Sequence, residues 1–212
     1  MATIYTNQTN LCDLGHPVVD LRSVNKPLKL RVPQDEDLPA LLDILSNTEN
    51  IKTDLSVAAL NAQEREGICR RWLTLNNPLD HMNFIMIDTR ESPGKPIGIT
   101  GLGWIGPMEN SSQEDFDDVS MRAGAAGVMV NPEARRKGFA AEALKIVIDY
   151  GLKELNLAEI RVGTPSSNMA MRGLMEGKFE MEPEECRQVD RFGNDLMWRI
   201  NKERWSLFLG HE

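Results

Sequence analysis

The sequence predicts an α/β (α+β) fold, a central sheet flanked by helices. Three observations carry this. An alternating stretch, Leu28 to Val32, gives way after Pro33 to apolar residues at helical spacing. Two strand–turn–strand stretches read as hairpins, one over 84–105 and one over 186–201. Between them a strand apolar on both sides, Ala125 to Val130, leads into a long amphipathic helix and then another strand. A chain of 212 residues can bury one substantial core, so one large domain is favoured over two small ones.

Taken in order, residues 1–27 are weakly periodic and interrupted by Gly15, Pro17 and Pro27; they read as an extended or irregular arm. Leu28, Leu30 and Val32 alternate with Lys29 and Arg31, the pattern of a half-buried strand. Asp35, Glu36 and Asp37 place negative charge where a helix begins, and Leu38, Leu41, Leu42 and Leu45 give a short helix over 36–47. A second helix is expected over about 55–75, with Val57, Leu60, Ile68 and Trp72 on one side, closed by Asn76-Asn77-Pro78. Phe84 to Asp88 and Ile97 to Ile105 form a hairpin around Ser92-Pro93-Gly94. Gly98, Gly101 and Gly103 mark either a bulged strand or a place where backbone or ligand comes close.

Residues 107–122 are a loop rich in Glu109, Glu114, Asp115, Asp117 and Asp118, either solvated or attractive to an amine. The helix over about 138–155 buries Leu144, Val147, Gly151 and Leu155 and wets Glu142, Lys145, Asp149 and Lys153. Glu159 to Thr164 is a strand and Asn168 to Met175 a helix. Cys186 to Asp190 and Asp195 to Asn201 flank the last turn, and Trp205, Leu207, Phe208 and Leu209 form an apolar tail.

Composition excludes several classes. The net charge of −8 argues against sequence-independent nucleic-acid binding, which needs clustered cations on phosphates. No run of about 18 uncharged apolar residues exists, so no membrane span is expected. The first residues lack the basic and apolar regions of a secretory signal. Cys12, Cys69 and Cys186 are too few and scattered for a disulfide frame or zinc site, and His16, His81 and His211 are isolated, so no metal is expected. A reducing compartment, cytoplasmic or nuclear, follows.

The chemistry lies in Gly127 to Leu152: strand, basic turn, long helix. The first amides of a helix have no internal partner and sit at its positive end. Arg135-Arg136-Lys137-Gly138 adds cations and a residue without a Cβ, which together suit a pyrophosphate. The alternative is a basic turn ahead of a solvated helix. Neither G-x-x-x-x-G-K-S/T nor G-x-G-x-x-G is present.

Arg135-x-x-Gly138-x-Ala140 resembles the R/Q-x-x-G-x-G/A acetyl-CoA motif of the GNAT superfamily of N-acetyltransferases, with the flavour of its RimJ/RimL-like branch. Val128-Met129-Val130 before it, Asn131-Pro132-Glu133 at the turn and the order of elements over 28–205 agree. The resemblance implies a mixed, mostly antiparallel sheet with splayed core strands, an N-terminal arm over 1–27 and the acetyltransferase domain over 28–212. It implies acetyl-CoA as co-substrate, pantetheine along Val128, Met129 and Val130, and pyrophosphate on the amides of Arg135, Arg136, Lys137, Gly138, Phe139 and Ala140. Asn168 is the cofactor-contacting Asn in one register; a gapless register to Phe179 puts Ser167 there.

The reaction implied is direct attack of a primary amine on the thioester, the acceptor being a small molecule or a protein N-terminus. Proximity supplies much of the rate. An alkylammonium of pKa ~10.4 is ~0.1% neutral at pH 7, so a base or a desolvating pocket is needed. A backbone N–H near Val128 to Met129 would meet the oxyanion. This chain departs from the family pattern: Ala125 stands where relatives carry Glu, and Tyr5 and Tyr150 lie away from the place of the usual Tyr acid. Asp117, Asp118 or Glu114 is then the candidate base, Ser166 or Ser167 the candidate acid, and Cys186 a further candidate. Met169, Met171, Met175, Met181 and Met197, with Trp104 and Trp198, either line an acceptor pocket or fill the core. The rivals are a CoA-binding module without turnover and an enzyme for a longer acyl-CoA. A monomer or homodimer is expected.

Overall fold

The computed structural model describes residues 3–11, 17–52, 54–90, 92–108, 118, 121–186, 188–190 and 192–211. The strands among them are β1 (Tyr5–Leu11), β2 (Pro17–Ser23), β3 (Leu28–Arg31), β4 (Met82–Asp88), β5 (Lys95–Pro107), β6 (Arg122–Val130), β7 (Glu159–Thr164), β8 (Glu184–Glu185) and β9 (Leu196–Asn201). They form one nine-stranded sheet in the order β1-β2-β3-β4-β5-β6-β7-β9-β8. Every neighbouring pair is antiparallel except β6 and β7. A parallel pair needs a long crossover. Helix α5 (Phe139–Lys153) supplies it; the remaining helices are α1 (Leu38–Ser46), α2 (Thr48–Ile51), α3 (Leu55–Ala58), α4 (Ala62–Trp72), α6 (Met169–Met175) and α7 (Lys202–His211).

Helices cover both faces, which is why β4 is buried along its whole length. Met82, Phe84 and Met86 enter the larger core with Leu144 and Val147 of α5. Ile85 and Ile87 enter a smaller core with Leu41, Leu45 and Cys69 of α1 and α4. The hairpin glycines answer to neighbouring backbone. A Cβ on Gly98 would stand 2.2 Å from the Met129 carbonyl oxygen, and one on Gly101 would stand 2.4 Å from that of Met82. Gly103 sits where the β5–β6 register shifts, an extra residue between Leu102 and Trp104.

The extended arm over 1–27 adds β1 and β2 at the edge of the sheet, with Val19 and Leu21 buried. Three expectations differ from the structure. The helix expected over 55–75 breaks into α3 and α4, because Asn61 and Glu64 form a reciprocal capping box that starts α4 afresh. The last hairpin has less ladder than expected: among the described residues only Glu184–Glu185 pairs with β9, and beyond it the Cys186 amide donates to the Asp195 carbonyl at 2.8 Å. The Asp190 carboxylate accepts the amides of Phe192 and Asn194, which folds that stretch locally instead of onto a ladder.

The third concerns α5, whose expected wet face is buried. Glu142, Lys145 and Asp149 are each under one-tenth exposed. Ser23 at the end of β2 donates to the Glu142 carboxylate. Trp205 Nε1 of α7 donates to Asp149 at 2.8 Å, and Lys145 Nζ lies 5.8 Å over the Phe208 ring. The C-terminal tail is thus a helix, and it roofs α5. No described helix is long and apolar enough to cross a membrane.

Candidate functional site

β6 and β7 share three rungs, Ala123 to Glu159, Gly124 to Ile160 and Ala125 to Arg161, and then part. β6 goes on to Val130 against β5, and β7 to Thr164 against β9. A wedge therefore opens in the middle of the sheet. The Asn131 amide donates to Ile97 of β5, and the Gly127 carbonyl accepts from the Thr100 hydroxyl. Backbone groups alternate in direction along a strand. The N–H and C=O of Val128, and of Ala126, consequently face the wedge.

Both sides of the wedge are pinned. On the β6 side Arg135 Nε donates to the Val130 carbonyl at 2.9 Å, and its Nη2 donates to the Glu49 carbonyl and to Asn50 Oδ1. Asn50 Nδ2 in turn donates to Asn131 Oδ1 at 2.7 Å. Sequence reasoning missed Asn50, whose partners at the site, Asn131 and Arg135, lie more than eighty residues away. Arg135, expected to face a ligand, has its guanidinium engaged with the protein instead. On the β7 side Asp195 accepts both the amide and the hydroxyl of Ser166, at 2.5 and 2.7 Å. Asn168 caps α6: its Oδ1 accepts the Met171 amide, and its Nδ2 donates to the Thr164 hydroxyl. Ser167 is exposed in the same turn.

The Ser166 hydrogen bonds hold the Asp195 carboxyl below the usual carboxylate range. A depressed carboxyl pKa means that its contribution is present above about pH 4, the unfolded value, and is lost as pH falls through the folded value. The Ser166 amide should therefore be less protected, relative to its intrinsic exchange rate, in Asp195→Asn at neutral pH, and in the native chain once pH falls through the depressed folded value. Unchanged exchange in the variant would show that the bond does not hold the turn.

At the end of β6 the chain makes a 3-10 turn over Pro132–Ala134 and enters α5. Arg136 and Gly138 both take left-handed backbone, φ 59° and 79°. Such alternation curls successive amides inward into a nest. The Arg135 amide donates to Pro132, and the Glu142 amide to Gly138. Between them, the amides of Arg136 through Ala141 have no acceptor among the described residues. They sit at the positive end of a 15-residue helix. Around them, the side chains of Arg136 and Lys137 are exposed, and Lys137 Nζ donates to the Glu133 carbonyl. Phe139 is buried, so it offers the site only its amide, while Ala140 is half-buried. The Arg90 guanidinium lies 5.6 Å over the Phe139 ring. Hydrogen bonds from Arg90, aided by its charge and that of Lys137, hold the Asp88 carboxyl below the usual range against the upward push of burial.

Beside the wedge, β6 presents only Ala125 and Gly127 before Met129 on the face shared with the smaller core. Trp104 stands opposite Ala125, 40% exposed, with its ring against Gly106. Trp198 is fully buried, its Nε1 donating to the Met181 carbonyl. Met175 and Met181 are core, Met171 and Met197 are half-buried, and Met169 is exposed.

The candidate acids and bases are scattered. Asp118 is exposed just before β6 begins. Val128 lies about 20 Å further along that strand, at ~3.3 Å per residue. Glu109, Glu114, Asp115 and Asp117 lie outside the described residues, as do Cys12 and His16. Burial, with the Asp190 charge, pushes the half-buried Cys186 thiol up. Burial pushes Cys69 up to about 11. Tyr150 is pushed up to about 12 by burial and the Glu154 charge, and packs against Phe84 and Tyr5 away from the wedge. His81 is buried, its ring nitrogens facing Asp80 and the Arg71 carbonyl. Among the described residues no group of three or more His, Cys, Asp or Glu could hold a metal.

Comparison with known proteins fits this geometry. No curated protein sequence matches the chain. Among solved structures, it is similar to an acetyltransferase of the GNAT family from Bacillus anthracis, with TM-score 0.59 and 20% identity over 84% of this chain and 96% of that one. It is similar to RimL, a ribosomal L7/L12 alpha-N-protein acetyltransferase, with TM-score 0.66 and 13% identity over 88% and 96%. It is also similar to spermidine N-acetyltransferase from Vibrio cholerae in complex with CoA and spermine, with TM-score 0.61 and 18% identity over 85% and 98%. At these identities the likeness is one of fold. The model of the acetyltransferase (GNAT) domain matches residues 28–177, and so the chain belongs to the GNAT family of N-acetyltransferases.

Proposed function

We propose that the chain transfers an acetyl group from acetyl-CoA to a primary amine of a small molecule or a protein N-terminus, with residues 28–212 as the acetyltransferase domain and 1–27 as its arm. One observation carries this reading: the unpartnered amides of Arg136 through Ala141 open beside the wedge between β6 and β7. The residues fit the ligand. Those amides, with the Arg136 and Lys137 side chains, would hold the pyrophosphate. The wedge-facing backbone of Val128 and the Val130 amide would hold the pantetheine; Met129, expected among the cofactor contacts, turns its backbone groups to β5 instead. Ser167, exposed in the turn after β7, is the group we assign to protonating the departing thiolate, with Asn168 shaping the turn.

The bound thioester supplies an activated acyl group. The protein's part is to hold it, to bring the amine alongside and to exclude water. β6 carries no carboxylate, and Asp118 stands at the far end of the strand, reachable only through water. With no carboxylate on β6 among the described residues, we infer that the amine loses its proton mainly by its own ionisation. The two named neighbours, an alpha-N-protein acetyltransferase and an enzyme holding spermine, both support an amine acceptor.

The test is thiol release from acetyl-CoA and longer acyl-CoAs across a panel of polyamines and peptide N-termini. Turnover with at least one amine is expected. With it, log kcat/KM should rise with pH at a slope near one toward the amine's pKa of ~10.4. A plateau near pH 7 would reveal a dedicated base. Tight CoA binding with no thiol release on any acceptor would favour a binding module, and preference for a longer chain would replace the acetyl donor.

A further inference from the structure

One cation lies at the cradle without belonging to the motif. Lys26 stands in the turn between β2 and β3, and its Cε and Nζ lie 2.9 and 3.1 Å from the position a Cβ on Gly138 would take. The turn is built to hold it there. The Ser23 hydroxyl donates to Glu142 in the first turn of α5, and the same oxygen accepts the amides of Asn25 and Lys26, each at 3.0 Å. The Thr89 amide, just past β4, donates to the Pro27 carbonyl at 3.0 Å. So the turn is fastened both to α5 and to the end of β4.

The Lys26 ammonium has no acceptor among the described residues. By contrast, Lys137 reaches the Glu133 carbonyl, Arg135 is engaged with Val130, Glu49 and Asn50, and Arg90 pairs with Asp88. Nor is the place a comfortable one for an ammonium. The N-terminal end of a helix repels cations, and Arg136 and Lys137 stand beside it. A tethered lysine facing unpartnered amides makes sense when an anion comes between them.

We propose that Lys26 is a phosphate-binding residue, the side-chain counter-ion for the CoA pyrophosphate at the start of α5, delivered by the turn that Ser23 ties to Glu142. This rests on the cofactor reading above, and extends the ligand site to a residue outside the matched 28–177 segment.

Calorimetry with CoA, 3′-dephospho-CoA and pantetheine tests it. Lys26→Ala should weaken CoA roughly tenfold, as loss of a charge-assisted contact does. It should weaken 3′-dephospho-CoA equally and leave pantetheine unchanged, with Lys26→Arg recovering part of the loss. Ser23→Ala, which frees the turn, should give a smaller loss of the same pattern. Thermal melts of each variant check the fold. Unchanged or tighter CoA binding in folded Lys26→Ala would overturn the proposal. So would a loss seen with CoA but not with 3′-dephospho-CoA, which would move the lysine to the 3′-phosphate. If the wild-type chain binds no CoA, the cofactor reading itself fails; if Gly138→Asp abolishes binding while Lys26→Ala does not, only the role of Lys26 fails.

Discussion

Gly138→Asp should weaken CoA binding by two to three powers of ten while the protein stays folded. The new carboxylate would point from a left-handed residue at the mouth of the cradle toward the place a pyrophosphate would take. Two like charges about 4 Å apart cost about 4 kcal/mol at an effective dielectric of ~20. The fold should tolerate the change. A Cβ there meets only the flexible end of Lys26, and left-handed backbone costs a non-glycine residue about 1–2 kcal/mol. An acidic side chain at a helix N-terminus recovers part of that. Calorimetry and a thermal melt on one sample decide it: a folded variant with native CoA affinity would remove the cradle from the mechanism.

Trp205→Ala should cost about 3–5 kcal/mol of stability, by analogy with other buried aromatic truncations. Trp205 is 1% exposed, stacks on Phe208 with ring centroids 5.0 Å apart and lies 6.1 Å from Phe179. It also donates to Asp149, a buried carboxylate that pairs with Lys153 at 2.6 Å as well. Trp205→Phe keeps much of the packing and loses the hydrogen bond, so its loss should be smaller. Urea unfolding measures both; a loss under 1 kcal/mol for the alanine variant would mean that α7 contributes little to holding α5.

What could be seen in the sequence, and what could not, divides by range. Glu159–Thr164 has the bounds its alternation predicts, and the turn from Asn131 to Gly138 announces itself by composition. These are local signals. The break before α4 was also local: Asn61 and Glu64 at capping spacing sit in plain view within a segment that otherwise reads as continuous helix. The outer face of α5 was not local. Glu142, Lys145 and Asp149 form a polar stripe, and nothing near them in sequence says that Ser23, Phe208 and Trp205 will cover it. The same holds for Arg135, whose residue type suggests a ligand contact while a distant loop claims its guanidinium. Lys26 is the converse, an unremarkable turn residue that the third dimension carries to the motif.

Because only Ala123–Glu159, Gly124–Ile160 and Ala125–Arg161 bridge the middle of the sheet, it is mechanically two plates, one of six strands and one of three. The crossover helix spans the seam. Whatever fills that seam acts as mortar. The loaded protein should be stiffer than the empty one, with amides along both lips of the joint slowing their exchange together, and letting the spent carrier go means softening the joint again.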